Sequence, residues 1–204
     1  MQKSILRIDG LDIRAGNLIY HGANQEWFSS YWHRKAGCGP TTAANILRYM
    51  GDRLDLPVQN GQKQQMQKLM EWTWDCVTPG LMGLNSTKLF ADGMDRLLEK
   101  IKSPLRCQVL NIDDEQGKRA QLHELEAFLG EGLSADSPVA FLNLDRGALQ
   151  NLESWHWVTI IGIERSGESL WAICADNGRM LRLDMNQWLE TTKRHGGFVY
   201  LGAA

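Results

Sequence analysis

The sequence predicts an α+β fold in which N-terminal helices pack on a C-terminal antiparallel β-sheet. Two observations carry this. Apolar residues recur at helical spacing up to about residue 130, and beyond Pro138 they gather into short strand-like runs. Those runs are joined by hairpin-length connections, which exclude the long crossovers that parallel strands need. With 204 residues, 43% hydrophobic and 23% charged, the chain suits one domain over 1–204, helical over about 37–130 and sheet over about 138–204. No repeat, low-complexity tract or linker divides it.

Taken in order, Ile5 to Ile8 and Gly16 to Tyr20 read as two short strands around a Gly-bearing turn, followed by a polar and aromatic loop up to Gly37. Thr41 to Met50 places Ala43, Ala44, Ile46, Leu47 and Met50 on one buried stripe that stops at Gly51. Gln62 to Trp72 is helical by propensity. The next helix has Ser86 or Thr87 as its cap and an apolar face of Phe90, Met94, Leu97, Leu98 and Ile101. Leu105 to Ile112 reads as a strand and about 117–130 as a helix. Strands are then expected at Val139–Leu144, Trp155–Glu164, Leu170–Asp176, Met180–Asp184 and Phe198–Leu201, with a short helix near Met185–Glu190.

Composition narrows the function. The net charge is −2, with 22 basic and 24 acidic residues interspersed, so no global field favours nucleic acid. No apolar run approaches the roughly 20 residues that span a bilayer. The N-terminus lacks the apolar core and cleavage site of a Sec signal, so a cytoplasmic location is expected, with specialised export compatible. Cys38, Cys76, Cys107 and Cys174 form no CxxC pair, and the histidines lack zinc-ligand spacing, so neither a disulfide framework nor a metal site is expected.

The chemistry centres on Gly37-Cys38-Gly39-Pro40-Thr41. Proline is tolerated in a first helical turn, so Pro40 puts Cys38 at or beside a helix N-cap. The positive helix end there favours a thiolate, and free backbone N–H groups can hold an oxyanion. A cysteine in that place could equally be a small apolar filler, so a nucleophile needs an identifiable base. His156 is the candidate, at the mouth of the apolar run Trp157 to Ile163. A three-residue turn at Arg165-Ser166-Gly167 sets Glu164 against Glu168 and His156 against Asp176. A two-residue turn at Ser166-Gly167 sets His156 against Asn177 instead. Either residue can orient the imidazole, and Asn177-Gly178 also serves as plain turn chemistry.

At these residues the chain resembles the papain-like cysteine peptidases, and within them bacterial peptidases similar to the bacteriocin-leader-processing domain. Gly37 to Thr41 is similar to that group's nucleophile motif, Trp155-His156-Trp157-Val158 to its His strand, and Ala175-Asp176-Asn177-Gly178 to its third catalytic element, in the same order. The segment Leu125 to Leu144 is similar to the stretch before the His strand. The resemblance implies a papain-like fold, a peptide or protein substrate, no cofactor, and a glutamine upstream of the nucleophile that donates to the oxyanion. Gln25 is the candidate, although farther from Cys38 than is usual in the family, with Asn24 and His33 as rivals. The function expected is a thiol hydrolase cleaving a peptide or amide bond, with Cys38 attacking, His156 as base and Asp176 orienting. An acyl or aminoacyl transferase and a non-catalytic binding module remain as alternatives, and the oligomeric state stays open.

Overall fold

The helices of this chain pack against an antiparallel sheet in the computed structural model, which describes residues 2–56 and 61–203. The N-terminal methionine, residues 57–60 and residue 204, all within the expected domain span, lie outside the described residues. Among the described residues the main sheet has seven strands: β1 (Gln2–Ile5), β4 (Leu105–Ile112), β5 (Val139–Asn143), β6 (His156–Ser166), β7 (Ser169–Asp176), β8 (Arg179–Asp184) and β9 (Gly196–Ala203). Their order is β4-β9-β5-β6-β7-β8, with β1 also on β6. A separate hairpin joins β2 (Asp12–Ala15) to β3 (Leu18–His21). The sheet is therefore not wholly C-terminal. It recruits β1 from the start of the chain and β4 from between two helices.

Strand β6 is the centre of this arrangement. Its first half pairs with β5, from Asn143↔His156 to Val139↔Ile160, and its second half with β1, from Ile5↔Gly162 to Gln2↔Arg165. On its other edge runs β7, and there the register slips by one between Ile160 and Gly162. The bulge falls where the partner on the opposite edge changes. Gly162 accommodates the handover, since a Cβ there would stand 2.9 Å from the Ile5 side chain and 3.0 Å from the Ser4 carbonyl. Gly162→Val is accordingly expected to lower stability by roughly 1–3 kcal/mol through overpacking, read as a lower urea midpoint with an unchanged m-value.

The six α-helices among the described residues follow from the apolar periodicity, with one addition. Helix α1 (Tyr31–Ala36) occupies the segment that reads as a loop; the Ser30 side chain caps it by accepting from the His33 N–H. Helix α2 (Cys38–Tyr49) follows after Gly37 and packs on β6 and on α3 (Lys63–Trp74). Ser86 caps α4 (Thr87–Lys100), which covers β4 and β9. Helix α5 (Leu122–Ser134) starts a few residues later than expected, at a capping box made by Gln121 and Glu124, and α6 (Met185–Thr191) lies against β7. At the N-terminus, Ile5 closes β1 while Ile8 falls in a single 3-10 turn, so the expected strand over Ile5–Ile8 is displaced to both sides. Buried side chains from helices and sheet form one apolar cluster, in which Phe141 stacks on Phe198 at 4.7 Å and meets Trp188 edge-on at 4.6 Å.

Candidate active site

Cys38 is the first residue of α2, one position after its N-cap Gly37, and is partly exposed. The first helical bond runs from the Thr41 N–H to the Gly37 carbonyl, 2.9 Å. In a helix the leading N–H groups have no intrahelical acceptor, so those of Cys38 and Gly39 are placed to bind an anion at the sulfur. The flanking glycines have packing reasons of their own. A Cβ on Gly37 would collide with the His33 carbonyl and the Phe28 ring, and one on Gly39 would collide with Leu84. The Gly37-Cys38-Gly39 segment is thus the joint that lets α1 and α2 meet without a connecting loop.

His156, the first residue of β6, is buried, and its Nε2 lies 2.7 Å from Asp176 Oδ1 at the end of β7. Burial works against a charge on the ring, but hydrogen bonding to Asp176 and to Cys38, with the charges on both, outweighs it and the imidazole is pushed up to about 10. Nε2 faces Asp176, which leaves Nδ1 as the ring nitrogen for Cys38.

The pairing arises differently from either expected register. The hairpin turns at Gly167-Glu168, with Ser166 opposite Ser169 and Gly167 at φ +61°, so both turns considered from the sequence are corrected. Carried straight down the strands, this register would put Asp176 opposite Thr159, on the other face from His156. The bulge at Ile161 removes one residue from the count and sets Thr159 opposite Ala175. Asp176 then falls opposite Val158, two residues from His156 and on its face, a diagonal neighbour within side-chain reach. Turn and bulge together bring the two side chains to the same contact by another path.

Asn177 does not orient the imidazole. It sits at φ +46° in the β7–β8 turn and reaches the segment before α1: its Oδ1 accepts from the Gln25 N–H at 3.4 Å, and its carbonyl accepts from Asn24 Nδ2 at 3.3 Å. Gln25 thereby joins Cys38, His156 and Asp176 around one narrow cavity, together with Thr41, Asn45 and Trp157. Its Nε2 donates to the Arg34 carbonyl at 3.1 Å, leaving one amide hydrogen for another acceptor, while its Oε1 is buried without a partner among the described residues. The rivals are engaged elsewhere. Asn24 caps the turn at Gln25–Trp27, and His33 pairs with Glu71 at 2.9 Å and stacks on Trp74 at 3.9 Å.

Asn45 is a site residue that the sequence reading passed over. Buried in the apolar stripe of α2, it donates to Thr159 Oγ1 at 3.0 Å and accepts from the Ala23 N–H at 2.8 Å, tying α2 to β6 and to the Gln25 segment. A lone amide among Ala43, Ala44, Ile46 and Leu47 was the available signal. The tryptophans flanking His156 divide their roles. Trp157 is buried, stacked on Phe90 at 4.5 Å with Nε1 donating to the Leu84 carbonyl at 2.6 Å. Trp155 takes φ +59°, unusual for an aromatic residue, and is half-exposed beneath the Arg194 guanidinium.

The remaining cysteines are free thiols, and burial pushes those of Cys107 and Cys174 up. Among the described residues no cluster of His, Cys, Asp or Glu is arranged to hold a metal ion, and no helix is long and apolar enough to cross a membrane. No model of a known family matches the chain, and no curated protein sequence matches it.

Proposed function

We propose that this chain is a papain-like thiol hydrolase of one domain that cleaves a peptide or amide bond of a peptide or protein substrate. The observation that carries the reading is His156 held between Cys38 and Asp176, with the ring pushed up to about 10. An imidazole so placed holds its proton at neutral pH opposite the sulfur. Cys38 attacks the carbonyl carbon, the N–H groups at the start of α2 and the free Gln25 amide hydrogen receive the oxyanion, and His156 gives its proton to the departing amine. The resulting acyl-enzyme is released by water, from which the now neutral His156 takes a proton. Asp176 keeps Nδ1 aimed at the sulfur throughout.

The direct test is the pH dependence of iodoacetamide labelling at Cys38. Labelling is expected to be fast already at neutral pH and to slow in His156→Ala. A rate that climbs only near the ordinary thiol value of about 8.5 and ignores that substitution would overturn the reading.

A further inference from the structure

We propose that the cleft beside Asp176 selects acidic segments, so that the preferred substrate is a peptide with carboxylate side chains close to the bond that is cut. The inference rests on the thiol hydrolase reading. The narrow cavity at Cys38 shares Gln25, Asp176 and Asn177 with a solvent-open cleft of about 760 Å³, which gives a substrate its way to the sulfur.

Three segments far apart in the chain each bring a cation to this cleft: Lys35 from α1, Arg146 from the loop between β5 and β6, and Arg179 from the start of β8. All three are exposed, and none makes an ion pair among the described residues. The carboxylates on the same walls are largely taken. Asp176 faces His156 at 2.7 Å, and Glu26 faces Arg34 at 3.9 Å, which leaves Glu153. Three positive charges that make no ion pair among the described residues thus face three carboxylates, two of which have a cation of their own beside them, on a protein whose net charge is −2. The positive field is local to the approach to the nucleophile, where it sorts substrates rather than attracting polyanions to the whole surface. The cleft leads to a group that attacks carbonyl carbon, which favours acidic peptides over phosphodiesters as its occupants.

The test uses three synthetic peptide pools of equal length whose variable charged positions are Asp/Glu, Asn/Gln or Lys/Arg, followed by mass spectrometry with wild type and Cys38→Ala. Cys38-dependent cleavage is expected to be about tenfold faster in the acidic than in the neutral pool at low salt, with the difference shrinking in about 0.5 M salt. Arg146→Gln and Arg179→Gln should each lower the ratio of acidic-pool to neutral-pool cleavage about threefold, and the double variant Arg146→Glu with Arg179→Glu should turn the preference toward Lys/Arg. Cys38-dependent cleavage that ignores charge would overturn this inference alone. Absence of Cys38-dependent cleavage in every pool would overturn the hydrolase reading and this inference with it. Equal suppression of all pools by a single-stranded oligonucleotide, with no difference between pools, would assign the cleft to phosphates instead.

Discussion

His156→Ala is expected to lower kcat/KM by roughly 10⁴–10⁶-fold while leaving the protein folded, and Cys38→Ala to lower it at least as far. The two losses should not add, because in the proposed mechanism nucleophile and base act on one proton and one bond. A double variant should be about as inactive as either single one, which a set of independent binding contacts would not give. His156 sits at the rim of the sheet, next to the Trp155 turn, so its ring can be removed without opening the apolar cluster around Phe141, Phe198 and Trp188. Thermal melting of the variants checks that point. Normal melting with retained turnover in His156→Ala would argue for a different base. Retained turnover in Cys38→Ala would end the covalent mechanism.

Much of the framework around these residues was legible in the sequence, for reasons that differ by element. The stripe of α2 was readable because consecutive turns of one helix bury the same face, and Pro40 marked its start. The His156–Asp176 contact was anticipated from hairpin arithmetic that was wrong in both turn and register. The true turn is shifted to Gly167-Glu168, and the bulge at Ile161 corrects the parity. That bulge could not be read from β6 and β7 alone, because it sits where β1 replaces β5 along β6, a tertiary event involving residues some 160 positions apart. Helix α1 was missed because its short length supplies no clear apolar stripe: Tyr31 and Trp32 are exposed and only Ala36 is buried. The Gln25 segment is positioned by Arg34, by Asn177 and, at Ala23, by Asn45, so its distance from Cys38 along the chain said little about its distance in space.

Asp176→Ala provides the sharpest test of how His156 is charged. Hydrogen bonding and charge at Asp176 are among the causes that lift the imidazole to about 10 against the opposing effect of burial, so removing the carboxylate must lower it. In the wild type, the alkaline limb of kcat/KM is expected near that value, where His156 loses the proton that the proposed mechanism has it give to the leaving amine. In Asp176→Ala the limb should move to lower pH, and kcat at neutral pH should fall by about 10²–10⁴-fold as the ring loses its orientation. Stability gives an independent reading with a fixed sign. The folded-state value lies above the ordinary 6.5 of histidine, so the stabilisation from charging His156 is complete below about pH 6.5 and is lost as pH rises through about 10. The wild type should therefore exceed Asp176→Ala by roughly 3 kcal/mol near pH 6, with the gap narrowing toward pH 10. Urea titrations across that range measure it. A gap independent of pH would mean that Asp176 stabilises by packing alone, and an alkaline limb that stays in place would separate His156 from the group that limits turnover.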